Sequence, residues 1–248
     1  MKTTRNISKK SINLCLMLAI SGIANAGVNS LSGVNGVCDP GEDIHFITPP
    51  ENTLKYVVMI HVNNSSGKPV DWGTGTFITP NKILTAAHVV VAMQNYKNSG
   101  RDGYVTAGLN EPESGTRYDI SGMVANPDFN PDLYTHDIGI ITTNQNYTGD
   151  RYPFAEFGDS IPDYLFGGVS YPSDLIYEES ITNHIITTQC RSYAGESGSP
   201  LFGYDLNNPY NGIIVGVLSH GTDPGSGEIF TGYDLLIGSD YQFVIDNL

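Results

Sequence analysis

The sequence predicts an all-β fold, and three observations carry that prediction. Short apolar, β-branched segments recur along the chain, each closed by residues that favour turns. Helical periodicity is confined to the last ten residues. The chain has 248 residues, enough for one two-lobed domain or two small ones. In order, residues 55–62 are apolar and β-branched, 73–79 alternate, and 82–87 form a short run leading into His88. Residues 118–125 and 137–143 follow, then 180–188, 211–219 and 228–235. The terminal helix has Ser239 as its N-cap and places Tyr241, Val244, Ile245 and Leu248 on one face. Many short strands with one terminal helix indicate a β-sandwich or a pair of barrels. The polar, turn-rich stretch from Asn144 to Pro153 marks the boundary, near residues 145–155.

The ends of the chain and its charge narrow the function classes. Lys2, Arg5, Lys9 and Lys10 precede an apolar run from Leu14 to Ile23, and Ala24-Asn25-Ala26 offers small residues for cleavage. Residues 1–26 therefore read as a secretory signal peptide, too short in its apolar run to span a bilayer well. The expected location is outside the cell, with no membrane attachment after cleavage. Residues 27–54, rich in Gly, Asn and Pro, read as a surface extension or pro-segment. The mature chain keeps 8 basic against 26 acidic residues, a net charge of −18. Such a surface repels nucleic acid and anionic membranes. Cys15 leaves with the signal, and the two remaining cysteines, Cys38 and Cys190, are expected to pair in an oxidising compartment. They lie 152 positions apart, so their bridge would stabilise the fold by about 4–5 kcal/mol in the chain-entropy account.

The chemistry is carried by three short strings. Gly195-Glu196-Ser197-Gly198-Ser199-Pro200 is a tight turn bearing an exposed hydroxyl. Curled back, it would aim the N–H groups of Gly195 and Ser197 into one space, forming an oxyanion hole beside a nucleophile. Upstream lie Thr85-Ala86-Ala87-His88 and His136-Asp137-Ile138-Gly139-Ile140. Serine needs a base, and histidine supplies one near neutrality. A buried carboxylate would hold the imidazole in the correct tautomer. The candidate roles are therefore Ser197 as nucleophile, His88 as general base and acid, and Asp137 as orienting carboxylate, at intervals of 49 and 60 residues. Two other readings fail on context. His136-Asp137 spells the pair used by metal-dependent phosphohydrolases, but here it opens a β-patterned run. The serine turn comes close to the α/β-hydrolase elbow, yet it lacks a second glycine at position 199 and a following helix. Neither a His-Glu-x-x-His string nor a phosphate loop is present, and no metal or cofactor is expected.

On these strings the chain resembles the trypsin/chymotrypsin-like serine endopeptidases over roughly residues 55–248. Ser199 after Gly198, and Val89 after the histidine, resemble the bacterial secreted V8-like glutamyl endopeptidase branch. The resemblance implies two six-stranded antiparallel β-barrels with a C-terminal helix, residues 55–148 and 149–248, and a cleft between them. It also implies a monomer acting on protein or peptide substrates. By the same resemblance residues 216–221 line the cleft, and the backbone of Ser219, His220 and Gly221 pairs with an extended substrate. The Ser219 hydroxyl supports Asp137, and Gly232 walls the specificity pocket. Arg191 stands where trypsin-like enzymes carry an aspartate, which disfavours cleavage after Lys or Arg. Arg191, Ser192 and His220 would instead welcome an acidic side chain. The histidine that glutamyl enzymes use on this strand falls, by counting, on Leu218. Glu196 has three open alternatives: pairing with a mature amino terminus, pairing with Arg191, or remaining solvated. Two rival functions stay in view, a catalytically silent binding protein and a narrow-specificity protease of the exfoliative-toxin type.

Overall fold

The computed structural model describes residues 56–63, 66–107, 115–149, 151, 153–157, 164–169, 173–175, 180–182, 184–188, 192, 195–205, 208–221 and 231–248. The signal peptide, the 27–54 extension, Cys38, Cys190 and Arg191 lie outside them.

A six-stranded barrel comes first: β1 (Val57–Asn63), β2 (Pro69–Phe77), β3 (Lys82–Thr85), β4 (Gly103–Ala107), β5 (Thr116–Ala125) and β6 (Gly139–Thr143). All pairings are antiparallel, and the barrel closes in the order β1-β2-β3-β6-β5-β4. Ile60, Phe77, Ile83, Leu84, Ile140 and Ile141 fill it and are fully buried. Phe77 also stacks on Tyr147, with ring centroids 4.6 Å apart. One register matters for the site. The β3·β6 ladder ends at Thr85 opposite Gly139, so the chain leaving β3 and the chain entering β6 emerge side by side.

The second unit is a seven-stranded antiparallel sheet in the order β8-β7-β11-β12-β13-β10-β9. Its strands are β7 (Tyr164–Val169), β8 (Ser173–Leu175), β9 (Ser180–Thr182), β10 (Ile185–Thr188), β11 (Pro200–Asp205), β12 (Asn208–Gly221) and β13 (Thr231–Leu235). Leu201, Val215, Leu218, Tyr233 and Leu235 form its own apolar cluster. Phe202, Ile214, Val217, Leu236 and Val244 instead join the larger core of the first barrel, so the two units share one packed interior. Residues 153–157 cross between them, with a parallel bridge from Phe154 to Ile214.

The chymotrypsin-like double-barrel architecture agrees with the sequence-based expectation, apart from the second unit having seven strands in place of six, with three local corrections. The run at 180–188 is two strands, because His184 adopts φ 69° and turns the chain back between β9 and β10. A helix, α1 (Ala87–Asn98), stands where no helix was expected. Its Val89-Val90-Val91 run favours a strand by composition. The helix forms because Val89, Val90 and Met93 bury against the barrel and an acceptor from another segment caps it. The terminal helix α2 (Ser239–Asp246) is capped by Gly238 at φ 55°, one residue earlier than expected. It turns Asp240 and Val244 inward, while Ile245 and Leu248 remain exposed. Among the described residues, no helix is long and apolar enough to cross a membrane.

Candidate active site

The register of β3 against β6 brings His88 to Asp137 across 49 positions. His88 is the second residue of α1, so its backbone N–H is one of the donors that a helix leaves unpaired at its start. Asp137 Oδ1 accepts that N–H at 2.8 Å. The other carboxylate oxygen, Oδ2, lies 2.7 Å from His88 Nδ1. One buried carboxylate thus caps the helix and orients the imidazole together. Ser219 Oγ donates a third hydrogen bond, to Oδ2, at 2.6 Å. Asp137 is fully buried, whereas the His88 side chain keeps 27% of its surface exposed, so its second ring nitrogen, Nε2, remains the nitrogen not held by Asp137.

Asp137 sits in a tight turn in which Ile138 N–H bonds back to the His136 carbonyl at 2.8 Å, with His136 at φ 58°. The Asp137 N–H donates to Asp234 Oδ2 on β13. Asp234 is fully buried, and its Oδ1 finds no hydrogen-bond partner among the described residues. Burial pushes the Asp234 carboxyl up to about 8, and the charges of Asp240 and Asp137 push the same way against its backbone hydrogen bonds. It is neutral at pH 7.

The turn at 195–200 is fixed from several sides. Thr74 N–H donates to the Ser197 carbonyl at 2.8 Å, and Thr74 Oγ1 donates to the Gly195 carbonyl at 2.7 Å. Gly198 N–H bonds the Leu218 carbonyl, and Leu218 N–H bonds the Ser199 carbonyl, both at 2.8 Å. The Ser199 hydroxyl closes the turn on the Glu196 carbonyl at 2.5 Å. Gly195 and Gly198 adopt φ 99° and 86°. A Cβ on Gly198 would collide with the Thr74 carbonyl and Thr85 Oγ1, so both angle and space require glycine there. Among the described residues the N–H groups of Gly195 and Ser197 have no acceptor. Gly73 carries the turn toward the histidine: a Cβ there would meet Val89 at 2.9 Å and the Ser197 carbonyl at 3.3 Å. The serine turn and the first turn of α1 therefore pack against the same point of β2.

The remaining expected residues are placed less tightly. His220 lies over Gly232, its partner in the β12·β13 ladder, and its ring occupies the space a Cβ at 232 would need. Burial lowers its imidazole from the ordinary range; Asp137 opposes that shift and His88 adds to it. Leu218 faces the second apolar cluster. Gly221 is exposed at the end of β12, and Ser192 is half-buried. Glu196 is 1% exposed, which removes the solvated alternative for it. Sequence reasoning missed Tyr134, whose ring lies 5.8 Å from His88 and 5.3 Å from His220. It also missed Thr74 and Asp234. For Asp234 a signal existed, an aspartate inside an otherwise apolar strand. His136, whose pairing with Asp137 in sequence had no expected role, turns to Asp240; with His184 these three residues place one ligand atom each within 4.8 Å of one another.

Comparisons with known proteins bear on this architecture. Residues 45–164 match the family model described as Trypsin; that span includes His88 and Asp137 and ends before the serine turn. No curated protein sequence matches the chain. A solved structure described as a Glu endopeptidase in complex with MPD shares the fold at a TM-score of 0.60 and 19% identity, over 84% of this chain and 97% of that one.

Proposed function

We propose that this chain, whose residues 45–164 match the trypsin family model, is a secreted serine endopeptidase working through His88, Asp137 and Ser197. The observation that carries the proposal is the fully buried Asp137 bound to His88 Nδ1 at 2.7 Å. With Nδ1–H held, His88 Nε2 is the basic nitrogen. It takes the Ser197 Oγ proton as Oγ attacks the substrate carbonyl carbon. The carbonyl oxygen becomes an oxyanion, which the Gly195 and Ser197 N–H groups stabilise. Such donors contribute about 10²–10³ in rate each. His88 returns the proton to the leaving amine, giving the acyl-enzyme, and a water then repeats the sequence. Asp137 stays ionised throughout and offsets the imidazolium charge.

The test is fluorophosphonate labelling of the purified mature protein beside Ser197→Ala, with the modified peptide mapped. Labelling at Ser197, lost in the variant, is expected. No label on the mature protein, even after limited proteolysis of residues 27–54, would favour a silent homologue. Hydrolysis of casein would separate a general protease from a narrow-specificity toxin.

Preference for an acidic side chain before the scissile bond is the finer reading. It is supported by His220 standing over Gly232 and by the name of the structural neighbour. A neutral imidazole there donates a hydrogen bond to a carboxylate. A peptide library dominated by large apolar residues at that position would refute it. The division at residues 148/149, the signal peptide, the monomeric state and the Cys38–Cys190 bridge complete the proposal; non-reducing mass spectrometry tests the bridge.

A further inference from the structure

Beside Asp137 in the chain, at His136, three segments distant in sequence meet. His136 comes from the turn before β6, His184 from the turn between β9 and β10, and Asp240 from the first turn of α2. They belong to both halves of the molecule. Asp240 is fully buried, and the two histidines are accessible at 31% and 44%. Asn126 Nδ2 donates to Asp240 Oδ1 at 2.8 Å and fixes the carboxylate. Asp240 Oδ2 then faces both imidazoles, 3.1 Å from His136 Nδ1 and 3.7 Å from His184 Nδ1.

We infer that His136, His184 and Asp240 form a binding site for a divalent transition metal of the zinc type. Zinc bonds of about 2.0–2.1 Å in a tetrahedron set ligand atoms about 3.3 Å apart. Two of the three ligand separations here are already near that value. The second ring, His184, is the more exposed of the two and has room to swing inward. Two imidazole nitrogens and one carboxylate oxygen suit zinc, cobalt or nickel better than calcium or magnesium, which take oxygen donors. Asn126 supplies the outer hydrogen bond that holds the carboxylate ligand. Water would fill the fourth position, on the exposed side of the two rings. On binding, the metal takes the place of a proton at His136 Nδ1, and the neutral ring carries its N–H on Nε2 instead. The bound ion would clamp the barrel, the second sheet and the terminal helix together. This site is separate from the proteolytic centre and does not rest on the proposed activity.

Isothermal titration of the metal-stripped mature protein with zinc chloride tests it, beside His184→Ala, His136→Ala and His88→Ala. One zinc per chain is expected, with affinity falling roughly tenfold or more in His184→Ala and His136→Ala but unchanged in His88→Ala. Cobalt chloride should give the visible absorption of tetrahedral cobalt, and zinc should raise the melting temperature of the wild type. Circular dichroism of each variant guards against loss of fold. Because His184 is exposed, His184→Ala keeps the test decisive if His136→Ala does not fold. No binding, binding equally tight in His184→Ala, or binding lost in His88→Ala alone would each overturn the inference.

Discussion

Asp234 is a carboxyl group that the folded chain holds protonated at neutral pH, and its replacement by asparagine should stabilise the protein. The residue is fully buried on β13, accepts the Asp137 N–H through Oδ2, and leaves Oδ1 without a hydrogen-bond partner among the described residues. Its carboxyl is pushed from 3.8 up to about 8, by burial first. In the unfolded chain the proton leaves near pH 4; in the folded chain it stays until about pH 8. Folding therefore takes up a proton throughout that window. Stability from this group is complete below about pH 4 and is lost as pH rises toward 8, at about 1.4 kcal/mol per pH unit. At pH 7 the loss is on the order of 4 kcal/mol, a large part of an ordinary folding free energy. An asparagine side chain has the shape of the neutral acid, keeps a carbonyl for the Asp137 N–H, and carries no proton to lose. Asp234→Asn should equal the wild type near pH 4 and exceed it by several kcal/mol at pH 7–8. Urea unfolding from pH 4 to 8 reads this directly. A difference that does not change with pH would refute the reasoning.

Two further expectations follow from neighbouring geometry. His61, buried in the first barrel against Thr106 and Tyr104, has its imidazole lowered to about 4 by burial and then by the Arg117 charge. A lowered histidine makes the fold lose stability as pH falls from about 6.5 to 4, by about 3 kcal/mol. His61→Gln should remove that loss in acid urea titrations; an unchanged acid limb would count against it. Opposing slopes from Asp234 and His61 nearly cancel between about pH 4 and 6.5, leaving a decline above about pH 6.5 that Asp234→Asn abolishes. Gly198→Ala should reduce kcat/KM at least about 100-fold, because a methyl group against the Thr74 carbonyl displaces the serine turn. Wild-type-like turnover of a peptide substrate would sink that expectation.

The readable part of the sequence was the part whose chemistry is local. Gly195, Gly198 and Ser197 announce a turn because glycine is needed within the same few residues that carry the hydroxyl. His88 and Asp137 are each embedded in small or apolar residues, and antiparallel pairing of the runs beside them, Thr85 against Gly139, brings them together. Helix α1 was not readable, since Val89-Val90-Val91 favours a strand and the deciding cap comes from Asp137, 49 positions away. The same holds for Thr74, which fixes the serine turn across 121 positions. His136 and Asp240 meet across 104 positions with no spacing that any local pattern records.

Least visible in the chain is how three buried carboxyl groups share one region. Asp137, Asp234 and Asp240 are all fully buried, and an unpaired carboxylate in such surroundings is too costly to persist. Each is accommodated differently. Asp137 is met by a backbone N–H, an imidazole and a hydroxyl. Asp240 is met by Asn126 and by His136, with His184 beyond. Asp234 takes the Asp137 N–H on Oδ2 and keeps its proton instead. The neutral acid at position 234 thus spares Asp137 and Asp240 a further adjacent charge. A negative charge fixed at position 234 would repel the Asp137 carboxylate and weaken its hold on His88. That is why Asp234→Asn should leave peptide hydrolysis intact while removing the decline in stability above about pH 6.5, whereas a substitution that loses the acceptor for the Asp137 N–H should lower both stability and turnover.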